Sequence, residues 1–435
     1  MHTVADIGET ITSSLGPWGA PSCVVALGQG ARVTCHVGGS QADISSETLF
    51  GIASVTKTLT TVLVLQLVAE GRLDLDTPIT SYLPWFELAD ARATSYLTTR
   101  HLLTHTSGID AADDFTDTGE DDGCLERYVH DVVSGSEVLH PVGERWSYCN
   151  AGFSVLGHLV EVLSGACWDD VVTDSILGPC DMGGRTRYRL ARGTPVATGH
   201  RTNFDTGEVI ADDHRPPRSI GPAGSTLLLS AGDLVRFAQH LMGGDLLPPE
   251  LLAAMWKVEA TSRSREQGLG WIVRHSDPLV VCHAGNARIF TAFLALRPDT
   301  GQVLSVTANG EGASLVAWAL SQSLFPQGTQ RRPVAPAPKL EMPEKAACGV
   351  YARRGVTMSF NLVEGGELVL SSQLDPVITG IEEELSPLPL RRIGPTSFSG
   401  RRPFAPLPTV WDFGDFDQEG RPRSVFASRL ALRVE

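Results

Sequence analysis

The chain has 435 residues, 42% of them hydrophobic, and a formal net charge of −15. This length leaves room for two or three domains, the hydrophobic content is that of an ordinary globular protein, and the negative charge disfavours nucleic acid or an anionic membrane as a partner. The first thirty residues contain no basic stretch followed by an apolar one, and no segment approaches about 18 consecutive apolar residues, so we expect a cytoplasmic protein without a membrane span. The eight cysteines lack Cys-x-x-Cys spacing, which favours free thiols over a disulfide framework or a zinc site.

The predicted elements alternate between strands and helices in the first three quarters of the chain. They are a hairpin (22–38), helices (54–70, 151–164 and 230–242), a meander of four strands (268–273, 279–285, 290–296 and 303–307) and a last helix (313–324). This order predicts an α/β (α+β) fold, in which a central antiparallel sheet is flanked by helices and a helical subdomain at about 72–220 separates its two halves.

A proline-rich segment divides the chain near its last quarter. Residues 326–343 hold five prolines and are predicted to be a linker between a catalytic domain at 1–325 and a small domain at 344–435. Short strand-like runs at 349–351, 358–362, 367–371 and 424–432 predict that the small domain is all-β.

Ser54 and Lys57 form a candidate catalytic pair at the start of the first long helix. Residues three apart share one helix face, and the N-terminus of a helix offers free N–H groups and a positive field to a developing oxyanion. The following run from Thr58 to Glu70 is apolar on nearly every face, so the helix is predicted to be buried and Lys57 to be desolvated into a usable base. The alternative is that Ser54 only caps the helix and Lys57 is solvated.

Two other patterns have both a structural and a functional interpretation. His101 and His105 are four residues apart, as a metal pair would be, but no third ligand is spaced to join them, and a packed helix whose histidines bond to loop backbone is the better interpretation. Residues 110–126 carry eight carboxylates and no basic side chain. They are expected to form a solvated surface loop, with a rim of the active site as the alternative.

Three separated motifs resemble those of the serine β-lactamase and penicillin-binding-protein family, especially its class C β-lactamase, esterase and D-aminopeptidase branch. The motifs are Ser54-Val55-Thr56-Lys57, Tyr148-Cys149-Asn150 (Tyr-x-Asn) and His283-Ala284-Gly285 (Lys-Thr-Gly or His-x-Gly). The connecting stretches HLLTHTSG (101–108), PVGERWSYCNAGFSVLGHLVE (141–161) and GLGW (268–271) are similar too, so the resemblance covers roughly 20–325. It implies a β-lactamase/transpeptidase-like fold and, by analogy, a lipocalin-like C-terminal domain.

The resemblance also implies roles for the motif residues. Ser54 would be acylated, and Lys57 and Tyr148 would share the proton transfers, with the resting protonation of the two left open. Asn150 would hold Lys57 and a substrate amide, and His283 would line the strand side of the cleft. The backbone N–H groups of Ser54 and of Asn286, which follows Gly285, would form the oxyanion hole. No cofactor or metal is implied.

The chain departs from the family pattern at three positions. Cys149 stands where the family often has Ser, and a small thiol should keep the geometry. His283 replaces a lysine that supplies positive charge to a substrate carboxylate, which disfavours β-lactam hydrolysis. Arg288 lies where this branch more often has glycines, and it either restores a charge at the cleft edge or is a surface arginine.

These observations predict a serine acyl-transfer enzyme acting on a small peptide, amide or (thio)ester, with a thioester or carrier-bound donor as one possibility. If an amine or alcohol accepts the acyl group, the enzyme is a transacylase or peptide cyclase, similar to penicillin-binding-protein-type thioesterases. If water accepts it, the enzyme is an esterase, a D-amino-acid amidase or peptidase, or a weak β-lactamase. A catalytically silent binding module is the minor alternative, and an α/β-hydrolase is disfavoured because its Gly-x-Ser-x-Gly elbow is missing.

Overall fold

The computed structural model describes residues 4–15, 20–262, 265–274, 278–325, 341–381, 385–403, 405 and 407–435. Most of the predicted linker, 326–340, lies outside the described residues. What is described forms a sheet-and-helix body up to residue 325 and a barrel that begins near residue 349.

An antiparallel sheet of eight strands forms the centre of the first body, in the order β2-β1-β13-β12-β11-β10-β9-β8. Its strands are β1 (Ser22–Gln29), β2 (Arg32–Gly39), β8 (Ala260–Thr261), β9 (Glu266–Gln267), β10 (Ile272–Arg274), β11 (Val280–Asn286), β12 (Thr291–Arg297) and β13 (Gln302–Ala308). The N-terminal hairpin pairs with β13, with Cys23 opposite Ala308, so the two ends of this body meet in one sheet. Small sheets join β3 (Phe50–Gly51), β7 (Leu227–Leu229) and β4 (Arg185–Thr186), and pair β5 (His200–Thr202) with β6 (Val209–Ala211).

Both faces of the central sheet are covered. Val24 of β1 packs in the larger core cluster and Val25 in the smaller one, because successive side chains of a strand point to opposite faces. The smaller cluster lies under α1 (Val4–Leu15) and α10 (Ala313–Leu324). The sequence analysis placed no element before residue 22 and therefore missed α1, which buries Ile7, Ile11 and Leu15 on this face.

The remaining helices of this body lie on the other side of the sheet. They are α2 (Thr56–Ala69), α3 (Ala91–Tyr96), α4 (Thr99–Leu103), α5 (Cys124–Tyr128), α6 (Asn150–Ser164), α7 (Trp168–Val172), α8 (Ala231–Gly243) and α9 (Pro249–Met255). Helix α2 is buried continuously from Thr56 to Leu65, as its all-round apolar sequence predicts. In the described part of the chain no single helix is long and apolar enough to span a membrane, although the bent pair Asn150–Ser164 and Trp168–Leu177 passes by length and composition.

The C-terminal body is a closed eight-stranded antiparallel barrel. Its strands are β14 (Gly349–Arg353), β15 (Val356–Leu362), β16 (Leu368–Leu374), β17 (Leu388–Arg392), β18 (Ser397–Gly400), β19 (Thr409–Phe416), β20 (Pro422–Phe426) and β21 (Leu430–Arg433), with short helices α11 (Glu344–Ala347) and α12 (Pro376–Thr379). Aromatic rings in edge-to-face contact fill its centre, with Phe413 touching Tyr351, Phe360 and Phe398. The predicted all-β fold is confirmed.

Two predicted strands have the wrong bounds, although each overlaps observed strands. The run 424–432 is not one strand, because a turn with Ser428 at a φ of 63° separates β20 from β21. The GLGW run at 268–271 is a turn that precedes β10, and Gly270 has a φ of 67°. A side chain at Gly270 would collide with Thr61 of α2, so this glycine allows the turn to pack against the buried helix.

The later carboxylates of the acidic segment 110–126 are exposed, as expected of a solvated loop, but those at its start are not. Asp113 is half-buried and contacts two barrel arginines, Arg353 at 2.6 Å and Arg429 at 2.7 Å, and the buried Asp114 contacts Arg354 at 2.8 Å. The carboxylates at the start of the segment therefore hold the barrel against the first body, because each desolvated charge has an opposite charge beside it.

Candidate active site

Ser54 lies in a 3₁₀ turn, Ala53–Val55, that leads directly into α2. Ala53 has a φ of 46°, a strained value for a residue with a side chain. Two glycines approach this turn so closely that a Cβ would come within 2.8 Å of the Ser54 amide nitrogen at Gly224 and within 3.0 Å of it at Gly285. The backbone around the predicted nucleophile is therefore fixed from two sides.

Lys57 is fully buried one turn after Ser54 and makes three close contacts. Its Nζ atom lies 3.2 Å from Oγ of Ser54, 2.8 Å from Oδ1 of Asn150 and 2.6 Å from the carbonyl oxygen of Ala223. Burial, with a contribution from the charge of Arg429, holds the pKa of Lys57 well below its usual value. Burial thus favours the neutral amine, in which Asn150 and Ala223 can accept its two hydrogens and the lone pair is left for the Ser54 hydroxyl.

Tyr148 and Asn150 flank the start of α6, and Cys149 is the residue that caps it. The Cys149 thiol accepts a hydrogen bond from the N–H of Gly152, so the predicted small side chain keeps the helix start in place. The first helical residue, Asn150, reaches Lys57. Burial raises the pKa of Tyr148 to about 12, opposed by a hydrogen bond with Ser54 and by the charge of Arg429.

Arg429 is a site residue that the sequence analysis missed. It comes from the turn between β20 and β21, and its guanidinium carbon lies 5.0 Å from the centre of the Tyr148 ring. The neighbouring Ser428 carbonyl accepts a hydrogen bond from the backbone N–H of Tyr148 at 3.0 Å. The turn contains no glycine or proline, and Arg429 is separated from Tyr148 by most of the chain, so no local signal marks it.

The third motif lies on β11, beside the nucleophile turn. Burial lowers the pKa of His283 to about 3, so the imidazole is neutral, and its Nδ1 lies 2.8 Å from the Ala284 carbonyl oxygen. Strand β11 pairs with β10 from Val280 to Cys282. Beyond Cys282, the same edge of β11, from His283 to Asn286, faces Ser54. A substrate backbone can therefore lie along this edge.

The N–H of Asn286 points to that open edge. Ala287 donates its N–H to Phe290 on the opposite strand at 3.0 Å. Since N–H directions alternate along an antiparallel strand, the neighbouring N–H of Asn286 points away from β12 and toward the cleft. This is the orientation that the predicted oxyanion hole requires.

A cavity of about 470 Å³ opens at Ser54 and lies between the two bodies. Of the predicted residues, Ser54, Asn150, Asn286 and Arg288 line it, whereas Gly285 packs beneath the nucleophile turn. Barrel residues 379–381, together with Leu374, Leu385, Arg402 and Arg429, line its outer wall. Arg288 thus faces the cavity, as one of its two interpretations predicts.

The histidines of the alternative metal site are used in packing. His101 Nδ1 lies 3.2 Å from the N–H of Thr98, and His105 Nδ1 accepts the N–H of Cys149 at 3.2 Å. Within the ranges that the structure describes, no group of three His, Cys, Asp or Glu side chains is placed to hold a metal ion.

The first body is similar in sequence to known proteins, and the whole chain is similar to known structures. The β-lactamase family model matches residues 16–321. Penicillin-binding protein 4 of Amycolatopsis lactamdurans is 32% identical over 73% of this chain and 88% of its own, and Protein flp of Staphylococcus aureus strain MW2 is 24% identical over 61% of this chain and 53% of its own.

Solved structures share the fold. The crystal structure of SurE has a TM-score of 0.74 at 23% identity and covers 99% of both chains, and the octameric penicillin-binding protein homologue from Pyrococcus abyssi has a TM-score of 0.61 at 20% identity over 99% of this chain and all of its own. The D-amino acid amidase from Ochrobactrum anthropi SV3 has a TM-score of 0.61 at 20% identity, over 73% of this chain and 98% of its own. The chain belongs to the serine β-lactamase and penicillin-binding-protein-like family.

Proposed function

We propose that this protein is a serine acyltransferase that forms an acyl-enzyme on Ser54 and passes the acyl group to an amine. The observation that carries the proposal is the environment of Lys57, whose buried Nζ lies 3.2 Å from the Ser54 hydroxyl oxygen and within hydrogen-bond distance of Asn150 and Ala223. As the Ser54 oxygen bonds to the donor carbonyl carbon, its proton passes to Lys57. The bond to the leaving group then breaks, and Tyr148 returns a proton to that group.

The second half of the reaction reverses these transfers. The acceptor nitrogen bonds to the acyl carbon, its proton passes to the Lys57–Tyr148 pair, and the Ser54 oxygen leaves and recovers a proton. The N–H groups of Ser54 and Asn286 would stabilise the oxyanion in both halves. Asn150, beside Lys57 on the cavity wall, would bind a substrate amide.

The cavity supports a peptide-sized substrate and an activated donor such as an ester or thioester. Its volume of about 470 Å³ accommodates a short peptide segment, and its outer wall comes from the barrel. Such a covering reduces access of bulk water to the acyl-enzyme and so favours an amine acceptor that the same cavity binds. Support for a D-residue comes from SurE, which was also solved with D-Leu.

Hydrolysis is the second candidate function. Its support is that a D-stereospecific amidohydrolase from Streptomyces and the Ochrobactrum amidase share the fold of the first body. The neutral His283 leaves the third motif without the lysine charge, which disfavours β-lactam hydrolysis as the main activity.

Intact-protein mass spectrometry after incubation with p-nitrophenyl esters, D-amino-acid amides and peptidyl thioesters tests the proposal, with and without added amines. We expect an adduct that is absent in Ser54→Ala and that amines release faster than water does. An adduct released by water alone, with no effect of amines, would make the protein a hydrolase. No adduct from any donor would leave a binding role for the fold.

A further inference from the structure

The hairpin of β5 and β6 forms one wall of the cavity at Ser54. Residues 201–205, from β5 and the turn that follows it, line the cavity together with barrel residues. The hairpin is a two-stranded sheet of three residue pairs, and all three residues of β6 are exposed. Because a sheet of this size is marginally stable by itself, its position depends on the contacts that it makes with its neighbours.

The base of the hairpin is attached to the first body. Asp212 donates its N–H to the carbonyl oxygen of Gly199 at 2.9 Å, which closes the hairpin. His200 donates its N–H to the carbonyl oxygen of Ile289 at 3.4 Å, and a Cβ at Gly199 would lie 2.6 Å from the Ile289 side chain. These contacts fix the base against the β11–β12 turn, whereas the tip extends to the barrel.

The tip contacts the barrel through Asp205, Ser386 and Arg402, a cluster that we call the latch. Nη1 of Arg402, in the connection between β18 and β19, lies 3.0 Å from Oδ1 of Asp205. The Ser386 hydroxyl donates to Oδ2 of Asp205 at 2.7 Å, and Nη2 of Arg402 donates to the Ser386 carbonyl oxygen at 2.9 Å. The hydrogen bonds from Ser386 and Arg402 hold the pKa of Asp205 below its usual value, so this carboxylate is charged at neutral pH.

The latch closes the cavity at a place separate from the docking contacts of the acidic segment. Asp113, which lines the cavity, contacts Arg429 of the barrel, whereas Asp205 and Arg402 line it where the hairpin meets the barrel. If the ion pair of the latch breaks, the tip of the hairpin can move while the contacts of Asp113 keep the barrel docked. The cavity then opens to solvent on the side of the hairpin.

The state of the cavity decides what can reach the acyl-enzyme. When an amine accepts the acyl group, its nitrogen bonds to the acyl carbon as the bond to the Ser54 oxygen breaks, and the product is an amide. When water accepts it, the water oxygen takes that place and the product is a carboxylic acid. In both cases a proton of the acceptor passes to the Lys57–Tyr148 pair and one returns to the Ser54 oxygen. A closed cavity keeps out bulk water but retains an amine that is bound within it.

We propose that Asp205 and Arg402 are specificity-determining residues for the acceptor: by holding the hairpin against the barrel, they keep bulk water from the acyl-enzyme, so that a bound amine accepts the acyl group. This rests on the proposed function, because the choice of acceptor matters only if an acyl-enzyme forms on Ser54. Both residues act through the position of the hairpin.

The test measures how one acyl-enzyme is partitioned between two acceptors. The wild type and the variants are acylated with a p-nitrophenyl ester in the presence of a D-amino-acid amide, and mass spectrometry quantifies the N-acyl product and the free acid. Because both products arise from the same acyl-enzyme, their ratio does not depend on the rate of acylation. Asp205→Asn and Arg402→Ala each lose the charge-assisted contact of the latch, so the ratio of aminolysis to hydrolysis should fall by about 10-fold.

Two further variants separate the latch from a general loss of structure. Asp417→Asn removes a 2.9 Å ion pair with Arg421 in the β19–β20 turn of the barrel, and it should keep the wild-type ratio. Asp205→Arg combined with Arg402→Asp restores an ion pair of reversed sign. The combined variant should recover part of the ratio that each single reversal loses.

An unchanged ratio in Asp205→Asn and Arg402→Ala would overturn the inference. An equal fall in Asp417→Asn would overturn it too, as would a combined reversal that loses as much as the two single reversals together. If water alone releases the wild-type adduct, the proposed function fails and the inference fails with it. That result is distinct from a wild type that transfers the acyl group to the amine with a ratio that the latch variants match.

Discussion

The surroundings of Lys57 and Tyr148 determine which of the two groups carries a proton at rest, a point that the sequence left open. Burial favours the neutral form of each group: it lowers the pKa of the Lys57 amine and raises the pKa of the Tyr148 phenol to about 12. At neutral pH the phenol therefore keeps its proton, and Lys57 is the group that can accept one. Tyr148, whose ring centre lies 4.9 Å from Nζ of Lys57, is placed to carry the proton onward in the proposed reaction.

The first prediction concerns the pH dependence of acylation. Lys57 is neutral above its lowered folded-state pKa, so the rate of Ser54 acylation should fall as the pH drops through that pKa, well below 10.5. Lys57→Met should lose about 10²–10⁴-fold in rate above that pKa and should lack this limb. Stopped-flow acylation over a pH series measures both. A rate that rises only near pH 12 would instead assign the base to Tyr148.

At the scale of elements, a close approach of three backbone segments determines where the nucleophile lies. The 3₁₀ turn with Ser54, the strand β11 and the segment at Gly224 meet so closely that two of the three contribute a glycine at the contact. Ala53, at a φ of 46°, shows that the turn is held by these neighbours and not by its own preference.

The second prediction follows from that contact. Gly285→Ala would place a methyl group 3.0 Å from the Ser54 amide nitrogen and 2.5 Å from the carbonyl oxygen of Ile52. We expect a loss of unfolding free energy of about 1–3 kcal/mol, together with loss of the Ser54 adduct, because backbone atoms must move. Chemical denaturation and mass spectrometry measure the two effects. Gly183→Ala, where a Cβ meets nothing within 4 Å, is the control, and equal behaviour of the two variants would contradict this account.

The elements that sequence patterns predicted correctly are those whose signal is local. Helix α2 has an unbroken apolar run, and the motif residues keep fixed spacing, so both can be recognised without knowing the fold. The helix α1 was missed because its buried residues, Ile7, Ile11 and Leu15, are few and their partners, the sheet face and α10, are distant in sequence. The β20–β21 turn was missed because Ser428 adopts a left-handed conformation without the glycine or proline that marks turns.

At the scale of the whole molecule, the barrel supplies part of the active site. Asp113 of the first body contacts both Arg353 and Arg429 of the barrel. The guanidinium group of Arg429 also lies over the Tyr148 ring. Sequence patterns assigned the catalytic chemistry to one domain because contacts between residues hundreds of positions apart leave no trace in local periodicity. The docking of the barrel is thus coupled electrostatically to Lys57 and Tyr148, the groups proposed to transfer protons.

The third prediction uses the two arginines that share Asp113. The charge of Arg429 lowers the pKa of Lys57, so Arg429→Ala should raise that pKa and move the acidic limb of the acylation profile to higher pH. Arg429→Lys keeps a positive charge and should keep the limb closer to its wild-type position. Stopped-flow acylation profiles measure the shift.

Arg353→Ala is the matched control, because Arg353 contacts the same Asp113 carboxylate but is not among the charged groups that shift the pKa of Lys57. Those groups are Arg429, Cys149 and Asp113. Removing Arg353 should weaken the docking of the barrel and lower the unfolding midpoint, since the half-buried Asp113 carboxylate loses one of its two partners, yet leave the limb in place. If the Arg353 and Arg429 alanine variants shift the limb equally, the shift reports loosened docking in general. A shift that occurs only in Arg429→Ala would mean that a charge on the barrel lowers the pKa of Lys57 in the first body.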